Sequence, residues 1–381
     1  MKRLLTAAVI LALLCSCQAP ERQLAENEQP ISFKVGYPTN NEKSLLVINS
    51  RQVVEAAGGE FQAELCDMSP ISIITAMKNL IDDGCAGIVL MPTDESILPQ
   101  VSELCEEGKI FWSISMRPVF DPRIRKILDD SEYFVGSVME NDETVAYDLM
   151  KLLWEHGKKK VVLVSSAKSD PVIVARERGI YRAAEEYGME IVAGIYNAPN
   201  REEVYSAMSD LLVAKPEIDA VFNVGGHFTP LDMIVQAVEE AGRDDEIKLV
   251  SIDLDKNIGE YLDKDIVLAM AGGHHRIDTS LSAAMVANAV IEPLTVKGRD
   301  KLSYVVPYML FSSSEELSLF NKFYDDRDGL LFTTDAVKRS LLNGFGDESG
   351  PPDFNAIIGE YTIENITRIS RGGGAEKSVF D

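Results

Sequence analysis

Residues 86–91 read AGIVLM, an uninterrupted apolar run that decides the fold class of this chain. Continuous apolar runs of this length are typical of parallel β-strands that helices cover on both faces. Similar runs recur downstream and alternate with segments in which apolar residues have helical spacing. In the segment 69–83 the residues with that spacing are Ile71, Ile74, Met77 and Leu80. Repeated strand-helix units predict an α/β protein with doubly wound parallel sheets.

The predicted strands outnumber what a single sheet of this kind holds, which is roughly five. The chain has 381 residues and 46% hydrophobic content, enough to bury two cores. We therefore predict two parallel-sheet lobes. In open α/β sheets ligands lie beyond the carboxyl ends of the strands, so the loops that follow the predicted strands are the expected place for a site.

Composition excludes several functions. The chain contains 37 Lys and Arg against 61 Asp and Glu, a formal net charge of -24, which repels nucleic-acid phosphates and anionic lipid headgroups. We predict no nucleic-acid partner. The four His and five Cys form no C-x-x-C or H-E-x-x-H motif, so the sequence predicts no metal site and no cofactor. Neither a catalytic triad spacing nor a Gly-rich phosphate loop is present, so we predict that the protein is not an enzyme.

The N-terminus has the pattern of an export signal. Residues 1–16 begin with Lys2 and Arg3, continue with a short apolar run and end with small residues. The sequence Leu14-Cys15-Ser16-Cys17 resembles a bacterial lipobox, which implies that Cys17 is acylated and becomes the first mature residue. The protein would then be anchored to a bacterial membrane, in the periplasm or at the cell surface. An ordinary secreted protein with a chance cysteine is the alternative. Residues 17–30 have the composition of a solvated tether.

Three further cysteines belong to the predicted folded body. They are Cys66, Cys85 and Cys105. An odd number permits at most one disulfide, and Cys85–Cys105 is the pairing that the predicted helices allow. We expect three buried, inert thiols rather than this disulfide.

Four segments carry a resemblance to a known family. They are GIVLMPTD (87–94), ARERG (175–179), AVF (220–222) and VSID (250–253). Their order and spacing resemble those of the type I periplasmic sugar-binding proteins, the group that includes ribose-binding protein, over residues 32–311. The resemblance implies two α/β lobes joined by a three-stranded hinge, with one small ligand between them. LacI-type repressors share these lobes, but no DNA-binding helix-turn-helix precedes them here.

The resemblance also implies domain boundaries. The first lobe would contain residues 31–141 and 272–303, and the second residues 142–271 together with a strand over 304–311. Residues 312–381 would be a C-terminal extension, for which the resemblance implies no role. In it we predict helices over 315–324 and 334–342 and a strand over 356–369.

Carried over one at a time, the ligand-binding residues implied by the resemblance are Asn41, Arg117, Arg176 and Asp253. Further cleft positions are Thr39, Asp94, Gly225, Gly272 and His274. Arginine donors and an aspartate acceptor suit a polyol in a dry cleft. Arg176 could instead pair with Glu177 or Asp170 on its own helix, and His274 could be a solvated loop residue.

The chain also departs from the sugar-binding pattern. Lys43 and Ser44 stand where ribose binders have stacking Phe residues, and Met116 replaces an Asp. Gly225 and Gly226 replace an Asn-Asp pair, and Gly272 replaces a Gln. Lost acceptors beside two arginines leave more donors than a neutral pentose needs, so a sugar acid or sugar phosphate rivals a neutral sugar as the expected ligand.

Two functions follow from the resemblance. The protein would present its solute to an ABC import permease. Alternatively, it would be a ligand sensor that signals to a membrane histidine kinase, cyclase or chemoreceptor.

Overall fold

The computed structural model describes residues 33–168, 170–225, 230–253, 257–293, 300–344, 351–372 and 378–381. The predicted signal, the tether and Cys17 lie outside these residues. No helix in the described ranges is both long and apolar enough to cross a membrane.

Strands and helices alternate through most of the described chain. The first ten elements are β1 (Lys34–Thr39), α1 (Leu45–Ala56), β2 (Glu60–Leu65), α2 (Pro70–Asp82), β3 (Gly87–Leu90), α3 (Leu98–Gly108), β4 (Phe111–Ser115), α4 (Pro122–Asp130), β5 (Phe134–Glu140) and α5 (Asp142–Glu155). The next ten are β6 (Lys160–Ser165), α6 (Pro171–Tyr187), β7 (Glu190–Tyr196), α7 (Arg201–Ala214), β8 (Ala220–Gly225), α8 (Leu231–Glu240), β9 (Lys248–Ile252), α9 (Ile258–Asp263), β10 (Val267–Gly272) and α10 (His275–Ile291). The last are β11 (Leu302–Val306), β12 (Met309–Phe311), α11 (Ser314–Asp325), α12 (Thr334–Leu341), α13 (Phe354–Glu360) and α14 (Ile363–Ser370).

The strands form two six-stranded sheets, which confirms the prediction of two parallel-sheet lobes. The first has the order β11-β5-β4-β3-β1-β2 and the second β12-β10-β9-β8-β6-β7. All neighbours are parallel except β12, which runs antiparallel to β10. Every residue of β3 is buried, as the apolar run 86–91 predicts for a strand with both faces covered.

The chain crosses between the two sheets three times. It leaves the first sheet after β5 and returns between β10 and α10, because α10 packs on β3, β4 and β5. The third crossing, at Pro307 and Tyr308, separates β11 from β12. These crossings correspond to the three-stranded hinge that the family resemblance implies.

The structure corrects two strand predictions. The strand expected over 304–311 is two strands, since β11 pairs with β5 of the first sheet and β12 pairs with β10 of the second. Pro307 lies at the break and has no N–H with which to continue a ladder. The strand expected over 356–369 is instead the helices α13 and α14. Asp353 and Thr362 cap their N-termini by accepting from Ala356 N and Asn365 N.

Sequence patterns also miss α4 and β5 entirely. Strand β5 reads FVGSVME, in which Gly136 and Ser137 interrupt the apolar run. Gly136 is required there, because a Cβ at this position would lie 2.1 Å from the carbonyl oxygen of Leu302 in the neighbouring β11. Residues 134–140 thus form a largely buried strand although Gly136 and Ser137 interrupt their apolar pattern.

The C-terminal extension packs on both lobes. Helix α11 contacts α9 and β12, whereas α12 contacts α1 and α13 contacts β11. The helices predicted over 315–324 and 334–342 are confirmed as α11 and α12. The backbone of the extension bonds to a side chain of the first lobe, since Leu331 N donates to Oδ1 of Asn49 at 3.1 Å.

The three described cysteines are free thiols. Cys85 and Cys105 are buried and Cys66 is partly exposed. The pairing of Cys85 with Cys105 is therefore absent from the described part of the chain.

Candidate functional site

A cavity of about 540 Å³ lies between the two lobes, at the carboxyl ends of their strands. Its volume lies in the range of small-molecule sites. The first lobe contributes Asn40, Leu46, Asp67, Met68, Met91, Thr93, Met116, Arg117 and Glu140; the second contributes Asp170, Val172, Arg176 and Asp253; the crossings contribute His274, His275 and Tyr308.

Three residues in the cavity wall have left-handed backbone conformations. These are Met68, Met116 and Asp253, with φ of 62°, 63° and 75°. Met116 and Asp253 directly follow strands β4 and β9, and Met68 lies in the short loop after β2. Such conformations are costly for residues other than glycine, and they concentrate at functional sites. Four other non-glycine residues with positive φ, Lys109, Asn197, Asp265 and Asp328, lie outside the cavity wall.

Arg176 is the most thoroughly bonded side chain in the cleft. Its Nε donates to Asp142 Oδ1 at 2.8 Å, its Nη1 to the carbonyl oxygen of Val224 at 2.8 Å and its Nη2 to the Tyr308 hydroxyl at 2.7 Å. Asp253 Oδ2 lies 3.6 Å from Nη1. The alternative pairing with Glu177 or Asp170 is thus wrong. Because a guanidinium has five N–H groups, it can still donate toward the cavity.

Arg117 is held less completely. Its Nη1 donates to the carbonyl oxygen of Met116 at 2.8 Å, and its Nε lies 3.6 Å from Asp170 Oδ1. That Nε is buried and makes no hydrogen bond to any described residue. A buried donor without an acceptor is costly, and this side chain lines the cavity.

Two contacts join the lobes across the mouth of the cleft. One is the Arg117–Asp170 pair, since Arg117 follows β4 and Asp170 caps α6. In the other, the guanidinium of Arg178 lies over the ring of Phe120, 4.3 Å from its centroid. Both contacts exist only while the lobes are close together.

Acceptors also face the cavity. Hydrogen bonds from Ser72 and Ser69 lower the pKa of Asp67 to about 2, so this carboxylate is ionised over the whole physiological range. Asp253 is partly exposed on the opposite lobe. The cleft therefore offers charged donors and charged acceptors together, as a polyol requires.

Gly225 permits the close packing behind Arg176. Its φ is 83°, and a Cβ would lie 2.7 Å from both Arg176 Nη1 and Asp253 Oδ2. The glycine that departs from the sugar-binding pattern thus makes room for the arginine and the aspartate. Gly226 lies outside the described residues.

The nine ligand-site positions that the sequence predicts divide into two groups. Arg117, Arg176, Asp253 and His274 come together in the cavity wall, whereas Thr39, Asn41, Asp94, Gly225 and Gly272 do not line it. Asn41 is exposed and its Oδ1 accepts from Lys43 N at 3.0 Å; its neighbour Asn40 lines the cavity instead. Asp94 accepts from Ser96 N, which gives it a structural role in the described chain.

Sequence reasoning missed Glu140, Asp142, Asp170 and Tyr308. Glu140 is the last residue of β5, and Asp142 follows it at the start of α5. Recognising β5 in the sequence would therefore have placed the acidic residues 140–143 at the end of a strand. Burial raises the pKa of Glu140 to about 7 and raises that of Asp142. Tyr308 belongs to the third crossing, and its hydroxyl donates to Asp142 Oδ1 at 2.8 Å.

A second cavity, of about 480 Å³, lies between α10, β11 and the C-terminal extension. Its wall is largely apolar, with Val135, Met285, Leu302 and Phe354 among the lining residues. The cleft between the lobes contains the buried charged groups, and it is therefore the candidate site.

Comparison with known proteins yields one family match and many similar structures. Residues 54–292, more than half of the chain, match the family described as periplasmic binding protein domain. No curated protein sequence is detectably similar.

Similar folds occur in a periplasmic sugar-binding protein from Pseudomonas fluorescens, at 18% identity and a TM-score of 0.63, covering 79% of this chain and 92% of that one. An ABC transporter solute-binding protein from Bacillus halodurans with bound myo-inositol has 19% identity, a TM-score of 0.59 and coverages of 75% and 96%. Another from Agrobacterium vitis, bound with α-D-tagatopyranose, has 15% identity, a TM-score of 0.61 and coverages of 74% and 95%. At such identities the likeness is one of fold.

Proposed function

Because the chain belongs to the family of periplasmic binding protein domains, we propose that it captures a small polar solute, a sugar or a related polyol, between its two lobes. The observation that carries this proposal is the cavity of about 540 Å³ whose wall is shared by both lobes and contains buried charged groups. A solute there would contact both lobes at once and would favour their closed arrangement. No catalytic step is part of the proposal.

The contacts of the two arginines favour a neutral polyol over an anion. The hypothesis of an acidic ligand depends on guanidinium groups without counter-charge. Arg176 has Asp142 at 2.8 Å and Asp253 at 3.6 Å, and Arg117 has Asp170 at 3.6 Å. An anion would have to compete with these carboxylates. A neutral polyol can instead accept from Arg117 Nε and donate to Asp67 or Asp253.

The similar structures support the same ligand class. Two of them contain myo-inositol and α-D-tagatopyranose, both rich in hydroxyl groups. Three methionines, Met68, Met91 and Met116, stand in the wall of the cavity. Methionine adapts its shape to an irregular apolar face, so the carbon face of a cyclic polyol could rest on these side chains.

A ligand screen tests this proposal. Neutral sugars and cyclic polyols should raise the Tm of the purified protein, and sugar acids should do so less. Calorimetry on the hits should show at least tenfold weaker binding for Arg117→Ala, because losing one arm of a charge-assisted hydrogen bond costs about 2 to 5 kcal/mol. Arg123→Ala is the matched control, since Arg123 lies in the same region but is exposed and pairs with Asp121.

Two results would contradict the proposal. One is a screen in which only acidic compounds stabilise the protein. The other is a polyol that binds normally to Arg117→Ala.

We further propose that the protein is a lipoprotein, acylated at Cys17, that presents its solute to an ABC import permease. The family and the lipobox-like N-terminus support a periplasmic location next to a membrane. A sensor that signals to a histidine kinase, cyclase or chemoreceptor remains the second candidate. Uptake of a labelled ligand by cells that lack the protein distinguishes the two roles: lost uptake supports transport, and intact uptake with a lost transcriptional or chemotactic response supports sensing.

A further inference from the structure

Two of the crossings between the lobes bring three ionisable side chains together beneath the cleft. Glu140 is the last residue of β5, His274 precedes α10, and Asp278 lies in the first turn of α10. Their exposed fractions are 6%, 2% and 0%. We call these three residues the hinge cluster. Glu140 and His274 also line the cavity, so the cluster can be reached from it.

The hinge cluster has unused bonding capacity. Both carboxylate oxygens of Glu140, both of Asp278 and Nδ1 of His274 are buried without a hydrogen bond from any described residue outside the cluster. Glu140 and Asp278 are close enough to bond to each other, which requires a proton on one of them. Buried polar atoms in proteins are nearly always bonded, and that single bond leaves most of these atoms without a partner.

Charge identifies the kind of partner. The fully buried ionisable groups around the cluster are the carboxylates of Glu140, Asp142 and Asp278 and the guanidinium of Arg176. Arg117 does not alter this balance, because Asp170 lies 3.6 Å from it. If all three acids were ionised, three carboxylates and one guanidinium would leave two negative charges in excess. A proton shared by Glu140 and Asp278 would cancel one of them, whereas a divalent cation would cancel both.

We propose that Glu140, His274 and Asp278 bind a divalent transition-metal ion, with Zn²⁺ as the best match. One potential ligand atom from each residue lies within 4.8 Å of the others. Zinc bonds to nitrogen and oxygen are about 2.0 to 2.2 Å long, so ligand atoms around a tetrahedral ion lie roughly 3.3 to 3.6 Å apart, and the side chains would have to approach one another by at most about 1.5 Å. One imidazole with two carboxylates suits zinc or manganese better than calcium or magnesium, which prefer all-oxygen sets.

Burial of the histidine favours the same chemistry. Its Nδ1 is buried without a hydrogen bond to any described residue, so this nitrogen is available as a ligand. Three ligands would leave a fourth zinc position for water or for a hydroxyl of a molecule in the cavity. The metal would also link the first crossing, through Glu140, to the second, through His274 and Asp278. This link would not depend on which solute the cleft binds.

A competing trio shares one member with the hinge cluster. Asp253, His274 and His275 also hold potential ligand atoms within 4.8 Å of one another. Asp253, however, lies 3.6 Å from the guanidinium of Arg176, which repels a cation. The side chains of Asp253 and His275 are 33% and 41% exposed, so water solvates them without a metal. The two trios predict opposite effects for variants at His275 and Asp278.

The test measures the metal directly. Tag-free protein is dialysed against EDTA and titrated by calorimetry with Zn²⁺ and separately with Mn²⁺. We expect saturable binding of one ion per chain. X-ray absorption of the zinc-loaded protein should show one imidazole nitrogen and oxygen ligands, with no second imidazole.

Variants assign the ion to the hinge cluster. Glu140→Gln and Asp278→Asn should each weaken binding at least tenfold, and His275→Asn should change it less than threefold. Circular dichroism and Tm of each variant verify folding. Asp278→Asn keeps the shape of the side chain, so a loss of metal binding in the folded variant reports the lost carboxylate ligand.

Three outcomes would overturn the proposal. They are no saturable binding of either ion, two imidazoles in the absorption spectrum, and loss of binding in His275→Asn with retention in Asp278→Asn. If the variants do not fold, the metal stoichiometry and absorption spectrum of the unmodified protein decide the question alone.

Discussion

Arg176 Nε donates to Asp142 Oδ1 at 2.8 Å, and the two side chains are only 4% and 1% exposed. Asp142 begins α5 directly after the first crossing, and Arg176 lies in α6, so the pair joins the hinge to the wall of the cleft. Tyr308, from the third crossing, donates to the same oxygen at 2.8 Å. Arg176 therefore has a structural role as well as its proposed role in binding.

Asp142→Asn should lower the free energy of unfolding by about 3 kcal/mol. Removing one partner of a buried ion pair costs about 3 to 5 kcal/mol, and nearby Asp253 keeps the loss at the lower end. Urea denaturation measures it. Glu143→Gln is the control, because the neighbouring Glu143 pairs with Arg182 at the surface, where a pair contributes about 0 to 1 kcal/mol. Equal losses in the two variants would refute the assignment.

Gly225→Ala should impair both stability and ligand binding. The new Cβ would meet Arg176 Nη1 and Asp253 Oδ2 at 2.7 Å. Gly242→Ala is a matched control, since Gly242 also has a positive φ, of 65°, but has no atom within 4 Å of a new Cβ. The control should lose about 1 to 2 kcal/mol of stability through its backbone alone and keep its affinity. Gly225→Ala should lose more stability and bind at least tenfold more weakly. Similar behaviour of both variants would mean that close packing behind Arg176 is unimportant.

Arg178→Ala should shift the protein toward an open arrangement. Its contact with Phe120 joins the lobes and, at an exposed site, contributes about 0.5 to 1 kcal/mol. Ligand affinity should fall about two- to fivefold. In small-angle scattering, the radius of gyration of this variant should decrease only when ligand is added. Arg182→Ala serves as the control, since Arg182 lies over Tyr147 within the second lobe. A scattering profile unchanged by saturating ligand would contradict lobe closure.

Native alkylation should label one thiol of the folded body. Burial raises the pKa of Cys85 to about 12 and raises that of Cys105 further, so neither forms much thiolate at pH 8. Cys66 is partly exposed and should react with iodoacetamide. In guanidinium without reductant all three should react, as peptide mass spectrometry would show. Protection of Cys85 and Cys105 in guanidinium would instead reveal a disulfide.

Cys17→Ser should release the protein from the membrane and leave an uncleaved precursor. The thiol of Cys17 is the proposed acylation site, and without the acyl chains the body has no other proposed anchor. Cell fractionation and mass measurement follow both effects. Cys15→Ser should leave acylation unchanged. Persistent membrane association of Cys17→Ser would exclude this anchor.

Much of the fold can be predicted from local patterns. The run 86–91 is recognisable because a parallel strand covered on both faces must be apolar throughout. Arg117 and Asp253 can each be placed at the carboxyl edge of its own sheet, because Arg117 follows β4 and Asp253 follows β9. The strand β5 cannot be recognised in this way, since Gly136 is required by its neighbour Leu302, which is distant in sequence.

By itself, the sequence determined the two α/β lobes and the acidic character, because strand periodicity and composition are local properties. The arginines of the cleft were implied by the resemblance to the sugar-binding proteins. Only the tertiary structure decided what these residues do with one another. Asp142 lies 34 residues from Arg176, and Tyr308 lies 132 residues from it. Glu140, His274 and Asp278 meet because separate crossings converge at the hinge. Whether a buried charge is balanced depends on such distant neighbours, and no local spacing encodes them.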